Sequence, residues 1–503
     1  MFVRLKSAIV IGIDARGVDV EVDAARGLPS VNIIGLAQGA AKESKDRALH
    51  ALANSGIKVP ARKITINLAP AELKKQGSFF DLPIAVGLAR LSGLEFDVGN
   101  YIFAAELSLD GRLKRINGAF PIGVYAKQSG LKLIVSKENE REAAISGAIT
   151  YSFDNLLEVI NFLKGAYTVE PASTAVDTVK AADYGVDFSE VKGQHRAKRA
   201  AMIAAAGFHN MLLVGPPGAG KSMIAKRLPT ILPPMSDDEI LQTTKIYSVL
   251  GMLDEERPIM VTRPFRSPHS TTSDASMIGG GVNALPGEIT LAHNGVLFLD
   301  EFPEFKRNVI EVLRQPMEDG KITVSRASAK ITYPARFMLV ASMNPCPCGY
   351  YGSRKRECTC TVAQIKKYRA KISGPILDRI DIQVNVSEVE YEKLNDEAEE
   401  AIDSQTMRQT VEKVFEIQKR RFASTDISYN SQMGESQLRR YCKLDGESSM
   451  MLKMAMERFA FSARSYSKIL KIARTIADIE ESQHINAQHI KEAISYRILD
   501  WEV

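Results

Sequence analysis

The stretch from Met211 to Ser222, which reads Met-Leu-Leu-Val-Gly-Pro-Pro-Gly-Ala-Gly-Lys-Ser, decides the fold class of this chain. Its first four residues are apolar and predict a short buried strand, and its final Lys-Ser opens a predicted helix. The glycine-rich turn between them is a complete P-loop, whose backbone N–H groups surround phosphates. In such a loop the lysine pairs with the β- and γ-phosphates, and the serine hydroxyl binds Mg²⁺. We therefore predict that ATP and Mg²⁺ bind through Gly215, Pro216, Pro217, Gly218, Ala219, Gly220, Lys221 and Ser222.

A second apolar run, Val296–Leu299, ends in two carboxylates, Asp300 and Glu301. Neighbouring parallel strands end at the same edge of a sheet, so both acids are expected beside the P-loop. We expect Asp300 to hold Mg²⁺ through its water, and Glu301 to polarise the water that attacks the γ-phosphate. The alternative is an ordinary strand end with solvated acids. Paired acids after a P-loop favour an ATP-hydrolysing motor over a kinase.

Two further residues complete the predicted site. Asn344 follows a strand predicted over Phe337–Ala341 and could reach between Glu301 and the γ-phosphate. Arg379 lies at a loop–strand junction within Ser373–Asp381. An arginine donated across a subunit interface stabilises transition-state charge in a neighbouring site. A surface ion pair is the alternative for Arg379.

The fold class that these patterns predict is α/β, with other domains on either side of the P-loop core. Buried strands alternate with helices over 184–387, which is typical of a parallel sheet. The segment 388–503 is almost wholly helical, with helices predicted over Ser404–Arg421, Ser436–Cys442, Ser448–Phe459, Ser465–Glu480 and Ala487–Arg497. The segment 166–183 is rich in Ala, Thr, Val and Pro and is predicted to be a linker.

The first 165 residues predict an α+β domain. Helices are expected over Leu36–Ala53 and Asp81–Leu91, and a strand over Lys63–Leu68. A further strand pair is expected over Ala8–Ile13 and Val18–Val22, joined by a turn at Asp14–Gly17. These boundaries divide the chain into a domain over 1–165, a linker over 166–183, a core over 184–387 and a helical lid over 388–503.

Composition bounds the classes of partner. The 503 residues include 65 Lys and Arg against 60 Asp and Glu, a formal net charge of +5. A mildly basic chain suits a nucleic-acid partner without requiring one. We find no signal-peptide pattern and no apolar run of membrane-spanning length, so we expect a soluble, cytoplasmic protein. Four of the five cysteines lie in one short segment, unlike a secreted disulfide framework.

At this point several motifs together resemble one family. The P-loop and five other segments are closely similar to the YifB/ComM family, often labelled magnesium-chelatase-like: Gly193-Gln194, Pro286–Ile289, Ala292–Phe305, Asn344–Gly349 and Ser373–Asp381. The resemblance implies a hexameric AAA+ ATPase of the branch that contains the MCM helicases. ComM members act as DNA helicases that promote branch migration while transforming DNA is integrated. The resemblance makes Asn344 sensor 1 and Arg379 the arginine finger, with Arg464 or, second, Lys471 as sensor 2.

The amino-terminal domain resembles the Lon protease fold through Val20–Pro29, Asn67–Pro70 and Lys75–Pro83. It departs from that family where proteolysis would need it. Phe80 stands near the place of the nucleophilic serine, and Ile116–Ile122 contains no lysine. A Ser–Lys dyad requires both groups within hydrogen-bond reach. We therefore expect a non-proteolytic relative used for DNA contact, assembly or both.

A hairpin is predicted just before the Asn344 strand. Lys321–Ser325 and Lys330–Tyr333 alternate around the small residues Ala327–Ala329. In ring helicases a hairpin at this place enters the central channel, where Lys321, Arg326 and Lys330 would contact DNA phosphates. A solvated surface hairpin is the alternative. The Pro-rich loop Arg263–His269 is a second candidate contact, with a packed structural loop as an equal alternative.

Two Cys-x-Cys pairs, Cys346/Cys348 and Cys358/Cys360, flank a basic loop rich in Gly and Tyr. Four thiolates can close a tetrahedral Zn²⁺ site, although the usual pairs have two intervening residues. The loop has no apolar core of its own, which favours a metal. Four reduced or redox-labile thiols are the alternative.

Taken together, the residues and the resemblance predict a ring-forming DNA motor, with DNA and further copies of this chain as partners. The first alternative is the motor subunit of a metal-insertion complex, which the amino-terminal domain and the cysteine loop disfavour. The second is an ATP-dependent protease, which the missing dyad disfavours.

Overall fold

The computed structural model describes residues 1–73, 75, 77–174, 184–281, 284–326, 329–353, 356–388, 402–459 and 461–497. The chain forms two units, Met1–Val179 with Asp237–Val261, and Lys180–Ser236 with Thr262–Val503. The segment Asp237–Val261 therefore leaves the second unit to fold with the first. This excursion was not predicted, because its sequence lies inside the predicted ATPase core.

The described strands are β1 (Phe2–Ile11), β2 (Asp14–Ala25), β3 (Ser30–Ile34), β4 (Lys63–Ala69), β5 (Tyr101–Phe103), β6 (Glu106–Leu107), β7 (Leu113–Lys114), β8 (Lys132–Ser136), β9 (Thr150–Phe153), β10 (Met211–Val214), β11 (Phe265–Arg266), β12 (Gly279–Gly280), β13 (Leu285–Pro286), β14 (Val296–Leu299), β15 (Lys321–Arg326), β16 (Ala329–Pro334), β17 (Met338–Met343) and β18 (Ile382–Asn385).

The described α-helices are α1 (Gln38–Asn54), α2 (Asp81–Leu91), α3 (Ala119–Gln128), α4 (Glu140–Ala144), α5 (Leu156–Leu163), α6 (His195–Gly207), α7 (Lys221–Ile231), α8 (Asp237–Val249), α9 (Asp274–Ile278), α10 (Glu288–Leu291), α11 (Arg307–Val312), α12 (Arg314–Asp319), α13 (Val362–Arg369), α14 (Gly374–Leu377), α15 (Ser404–Arg421), α16 (Glu435–Tyr441), α17 (Gly446–Arg458), α18 (Ala463–Ile479) and α19 (Ala487–Ser495). None of them is both long and apolar enough to cross a membrane.

The first unit is built on a seven-stranded mixed sheet in the order β3-β4-β2-β1-β5-β8-β9. Strand β2 alternates along its length, with Val18, Val20 and Val22 buried, as a half-buried strand should. The predicted turn at Asp14–Gly17 is wrong, because Asp14 pairs directly with Ile11 and the turn lies at residues 12 and 13. Gly12 has φ of 68°, a left-handed conformation that permits this tighter turn.

The excursion is fixed within the first unit by a buried carboxylate. Glu142 of α4 accepts a hydrogen bond of 2.6 Å from Ser248 Oγ of α8, and Arg115 Nη2 lies 3.3 Å from it. Burial raises the pKa of Glu142, against the opposing effect of these partners. Within the predicted linker over 166–183, the Ala172 N–H donates to the Thr150 carbonyl at 2.8 Å. Residues 175–183 of that predicted linker lie outside the described residues.

The second unit contains a five-stranded parallel sheet in the order β11-β14-β17-β10-β18. Strands β10, β14 and β17 are buried throughout, which explains why their sequences are apolar except for Ser342 in β17. The strands predicted over Met211–Val214 and Val296–Leu299 are confirmed. The third starts one residue later and runs two residues further than predicted, because Ser342 and Met343 continue to pair with β10.

The lid helices share one apolar core with α6 and α7 of the same unit. The helix predicted over Ser404–Arg421 is confirmed, and the next three lie within two residues of their predicted bounds. The last helix ends at Ser495 rather than Arg497. Residues 389–401, at the start of the predicted lid, are among those that the structure does not describe.

Candidate functional site

The P-loop lies between β10 and α7, at the carboxyl end of the sheet. Gly218 and Gly220 have φ of 76° and 91°, left-handed values that let the loop turn back on itself. Lys221 is buried at the start of α7, and its Nζ donates to the Gly215 carbonyl at 2.7 Å. The same ammonium donates to Asn344 Oδ1 at 3.1 Å. Burial lowers the pKa of Lys221. The structure therefore brings the P-loop lysine and the predicted sensor residue together.

Asp300 is held by two hydroxyl groups from adjacent elements. Ser222 Oγ of α7 donates to Asp300 Oδ2 at 2.7 Å, and Ser342 Oγ of β17 donates to Asp300 Oδ1. Sequence reasoning missed Ser342. One feature of the sequence could have indicated it: Ser342 carries the one hydroxyl group of the otherwise apolar strand Met338–Met343. It follows Ala341, which pairs with Leu299, just as Asp300 follows Leu299.

Glu301 is exposed and adopts a left-handed backbone, with φ of 53°. Such a conformation costs about 1–2 kcal/mol for a residue with a Cβ atom, and strained residues of this kind cluster at functional sites. The Glu301 N–H donates to Asp300 Oδ1 at 3.1 Å. The two acids therefore lie at one tight turn beside the P-loop, as the strand pattern predicted.

Gln194 joins the P-loop to the end of the neighbouring strand. Its Nε2 donates to the Ala219 carbonyl at 3.1 Å and to the Ser387 carbonyl at 2.6 Å. Its own φ is 56°, a second left-handed residue at this site. Gln194 lies in one of the family motifs, Gly193-Gln194, but its sequence alone gives no reason to place it in the site.

This donor set fits Mg²⁺ and a nucleotide. A serine hydroxyl and an aspartate carboxylate are hard oxygen ligands of the kind that Mg²⁺ takes together with phosphate oxygens. The first turn of α7 offers backbone N–H groups where an anion is favoured. Ser222 and Asp300 are the residues that would hold the cation, with Lys221 beside the phosphates.

Arg379 lies at the other end of the same sheet. It precedes β18 by three residues, and β18 runs parallel to β10 with Met211 opposite Ile382. The P-loop follows the last residue of β10, so the length of a four-residue strand, roughly 13 Å, separates the two edges. Arg379 therefore does not join the P-loop of its own chain.

The Arg379 guanidinium is engaged within the chain. Its Nη1 donates to the Pro375 carbonyl at 2.6 Å, and its Nη2 pairs with the Glu318 carboxylate of α12. The side chain is 10% exposed, whereas that of Glu318 is 52% exposed. The Arg379 side chain is thus largely buried, and its ion-pair partner Glu318 is the more exposed of the two.

A groove of about 1240 Å³ between the sheet end and the lid contains Arg379 and both sensor 2 candidates. Arg464 is exposed on α18. Lys471 is largely buried, donates to the Ser431 carbonyl at 2.8 Å, and has a pKa lowered by burial. No P-loop residue lines this groove. The predicted arginine finger and sensor 2 candidates therefore share one surface of the chain, away from its own P-loop.

A buried ion pair fastens the lid at the base of this groove. Lys468 of α18 donates to Asp381, which also accepts from the Asn210 N–H at 3.0 Å. His209 Nδ1 lies 3.6 Å from the same carboxylate. Burial alone would raise the pKa of Asp381, but Lys468 and His209 hold it well below its usual range.

The four clustered cysteines meet in space. Cys346 Sγ lies 3.3 Å from Cys348 Sγ and 3.6 Å from Cys358 Sγ. All four sulfur atoms, including that of Cys360, lie within 4.8 Å of one another. A hydrogen bond from the Tyr350 N–H lowers the pKa of Cys348 to about 6. Four thiols converging on one point have the arrangement that a tetrahedral metal site needs.

The predicted hairpin is confirmed as β15 and β16, which pair from Lys321 opposite Pro334 to Arg326 opposite Ala329. Ile322, Val324 and Tyr333 are buried, and Lys321 and Lys330 are exposed. The Arg326 side chain and the tip residues Ala327 and Ser328 lie outside what the structure describes.

Tyr333 ties this hairpin to a smaller one that the sequence did not reveal. Its hydroxyl donates to the Ala284 carbonyl at 2.8 Å, within the β12–β13 hairpin between α9 and α10. Two-residue strands carry no alternating pattern, so nothing in the sequence could have marked them. Residues 282 and 283 at the turn are not described.

The arginines of the second candidate contact loop serve packing. Arg263 is buried and donates to the Pro233 carbonyl at 2.6 Å and to the Tyr429 hydroxyl at 3.0 Å. Arg266 forms a bidentate pair with Glu288, with both distances 2.7 Å. For these two residues the alternative interpretation, a packed structural loop rather than a DNA contact, is therefore the one that the contacts support.

Comparison with known proteins gives consistent matches along the chain. Residues 187–394 match the family model for magnesium chelatase, subunit ChlI, residues 20–139 match subunit ChlI of Mg-chelatase, and residues 401–497 match the subunit ChlI C-terminal model. The Escherichia coli protein YifB is 41% identical over 496 residues, 97% of this chain and 96% of YifB. Competence protein ComM of Haemophilus influenzae is 41% identical over 500 residues, again 97% of this chain and 96% of ComM. The magnesium-chelatase 38 kDa subunit of Cereibacter sphaeroides is 27% identical over 177 residues, 31% of this chain and 52% of that protein.

Proposed function

The chain belongs to the YifB/ComM family of magnesium-chelatase-like AAA+ ATPases, and from this we propose that it is a ring-forming DNA motor that promotes branch migration of recombination intermediates. The similarity to a competence protein supports a role in natural transformation. A cytoplasmic location belongs to the same proposal, because the DNA intermediates would be there.

One observation supports the proposal that copies of this chain form a ring. The P-loop and Arg379 lie at opposite edges of one parallel sheet, so a single chain cannot supply both to one nucleotide. A neighbouring copy supplies the missing arginine when copies are arranged head to tail, and such contacts close into rings. We propose a homohexamer in which Arg379, with Arg464 or Lys471 beside it, enters the next chain's ATP site.

The contacts within one site support the following proposed roles. Lys221 would bind the β- and γ-phosphates, Ser222 and Asp300 would hold Mg²⁺, and Asn344 would fix the lysine and the attacking water. Glu301 would polarise that water and accept its proton. When bound, Mg²⁺ neutralises charge that develops on the phosphate oxygens.

We propose that the β15–β16 hairpin contacts DNA in the channel of the ring. The exposed Lys321 and Lys330 support this, since phosphate contact needs cations on a projecting element and no base specificity. We include Arg326 in the same proposal because it is the last residue of β15, next to the tip of the hairpin.

We also propose that the four-cysteine cluster binds Zn²⁺, which would fix a loop that has little apolar core. The cluster follows Asn344 directly. A Cβ atom at Gly349 would lie 2.7 Å from Pro217 Cδ, so this loop approaches the P-loop closely.

The amino-terminal unit is proposed to be a non-proteolytic relative of the Lon fold. Phe80, near the nucleophile's place, is fully buried in the apolar core of the unit. Ser78 donates to Glu106, an acid rather than a lysine. No ATP-dependent peptidase activity is expected.

The proposal is tested by ATPase rates with single-stranded, duplex and four-way-junction DNA. We expect stimulation by DNA, displacement of strands from the junction and ATP-dependent rings. Mixing Arg379→Ala with Lys221→Ala subunits should restore activity, because some interfaces then pair an intact P-loop with an intact arginine. A protein that stays monomeric with ATP and DNA would contradict the proposal.

The magnesium-chelatase models that match the chain favour one second candidate, a motor subunit for metal insertion. The same assay separates the two. An ATPase that forms rings but neither binds nor responds to any of the three DNAs would favour the second candidate.

A further inference from the structure

The segment from Gly349 to Lys371 is far more basic than the rest of the chain. It contains seven Lys or Arg residues and one Glu, a net of +6, whereas the whole chain carries +5. The remaining 480 residues therefore sum to about −1. Two of the seven cations, Arg354 and Lys355, lie outside the described residues.

The described part of this segment folds as one piece with the cysteine cluster. Directly after Cys360, Thr361 starts α13 with a capping box, in which the Gln364 N–H donates to Thr361 Oγ1 and the Gln364 side chain accepts from the Thr361 N–H at 2.8 Å. Ile365 and Tyr368 face inward and are buried. We name the described residues of this region, 346–353 and 356–371, the basic knuckle.

Arg369 ties α13 to the first cysteine pair. Its Nε donates to the Pro345 carbonyl at 3.2 Å, and its guanidinium lies 5.5 Å from the centre of the Tyr351 ring. Arg356, beside the second pair, likewise lies 5.2 Å from the Tyr350 ring centre. The cations and the cysteines therefore share one surface.

Among the described cations of this segment, two lysines of α13 have no partner within the chain. Lys366 and Lys367 are exposed, and their side chains form no hydrogen bond or ion pair with a described residue. Lys371 pairs with Glu304 at 3.1 Å, where both side chains are nearly half exposed. A helix carboxyl terminus attracts cations with only about half a unit charge, which does not account for so many.

We propose that the basic knuckle binds the phosphate backbone of DNA, as a contact separate from the β15–β16 hairpin. This rests on the proposed function as a DNA motor. Lysines without an ion-pair partner are free to bind DNA phosphates, and the counterions that DNA releases on binding favour the complex. Protein interfaces, by contrast, are depleted in lysine. Tyr351 is 40% exposed beside these cations and offers an aromatic face on which a base of single-stranded DNA can stack.

The test is the salt dependence of DNA binding by the full-length protein carrying Lys366→Gln and Lys367→Gln, measured by fluorescence anisotropy with a duplex and a single strand. Each lost phosphate contact removes about 0.9 from the slope of log affinity against log salt. We expect a slope shallower by about two and roughly tenfold weaker binding at physiological salt. Arg356→Gln alone should make this slope shallower by about one.

The matched control is Lys413→Gln with Lys419→Gln, which removes two lysines of α15 that are 71% and 69% exposed. It should keep the wild-type slope. Thermal unfolding midpoints equal to that of the wild type show that each variant is folded.

The outcomes separate this proposal from the function on which it rests. If wild type and the Lys366/Lys367 variant bind DNA with the same slope, the basic knuckle is not a DNA contact and the motor assignment stands. If the variant loses ATP-dependent ring formation with unchanged DNA binding, the surface faces a neighbouring copy and the proposal is wrong. Wild-type protein that binds none of the DNAs overturns both.

Discussion

At the scale of single residues, Glu301 combines exposure with a left-handed backbone beside Asp300. Strain of this kind persists only where the surrounding structure determines the conformation. Here the turn is fixed between β14 and the hydroxyl groups of Ser222 and Ser342, which hold the adjacent carboxylate. The Glu301 side chain is exposed at this turn.

We expect Glu301→Gln to bind ATP and to hydrolyse it at least a hundredfold more slowly, because an amide cannot accept the proton of the attacking water. ATPase rate and nucleotide affinity, measured separately, check this. The matched control is Glu304→Gln, which removes an exposed carboxylate three residues away and should keep near wild-type turnover. Full activity in Glu301→Gln would exclude the assigned role.

Asp381 is the residue whose charge fastens the lid to the sheet. Asp381→Asn leaves the buried Lys468 ammonium without its carboxylate and should lower the free energy of unfolding by about 3–5 kcal/mol. Asp378→Asn is the control, since this nearby carboxylate makes no ion pair with a described residue.

The pH dependence of this effect has a definite sign. The pKa of Asp381 is depressed in the folded chain, so its stabilisation is fully present above the unfolded value of about 3.9 and is lost as pH falls towards the folded value. Melting temperatures of wild type and Asp381→Asn should differ most between pH 5 and about pH 7 and converge in acid. A difference in melting temperature between the two proteins that widens below pH 4 would contradict a depressed pKa of Asp381.

At the scale of elements, the basic knuckle combines a candidate metal site with a helix that begins directly after it. Thr361 caps α13 one residue after Cys360, so a metal that fixes the cysteines also fixes the start of the helix. The same loop follows Asn344, and for this reason metal binding is expected to stabilise the sensor position.

We expect about one zinc per chain in freshly purified protein, lost when Cys346 and Cys348 are replaced by serine, because two thiolates cannot close the tetrahedral shell. Elemental analysis measures this directly. The matched control is Cys442→Ser, which removes a buried thiol in the lid and should leave the metal in place. Protein purified under reducing conditions without zinc would support four free thiols.

At the scale of the whole molecule, the excursion Asp237–Val261 belongs to the first unit although both flanking segments belong to the second, so we expect the second unit to depend on the first in folding. Its helix α8 buries one face within the first unit, including Thr243, Ile246 and Tyr247. The two segments of the second unit that flank the excursion lie side by side, because Arg263 donates to the carbonyls of Pro233 and Pro234.

A chain that begins at residue 184 should therefore aggregate, since α8 would expose its apolar face. Replacing residues 237–261 of that shortened chain with a short Gly-Ser linker should restore a monodisperse protein that binds ATP. Size-exclusion chromatography compares the two. Equal behaviour of both shortened chains would show that α8 does not depend on the first unit.

Much of this fold and part of the site were determined by the sequence alone. The P-loop, the strands Met211–Val214 and Val296–Leu299, helix Asp81–Leu91 and the hairpin before β17 follow from short-range patterns. Hydrophobic period, turn chemistry and strand-end polarity act over a few neighbouring residues, so they can be read from the chain directly.

Other features were decided only by tertiary structure. Ser342 reaches Asp300 because β17 pairs with β14, and Arg379 shares a groove with Arg464 because the lid covers that end of the sheet. Helix α8 joins the first unit although its sequence lies within the predicted core. Each case depends on which surfaces meet across long separations in the chain. A local pattern shows that a residue has a buried or polar face, and packing alone determines what that face contacts.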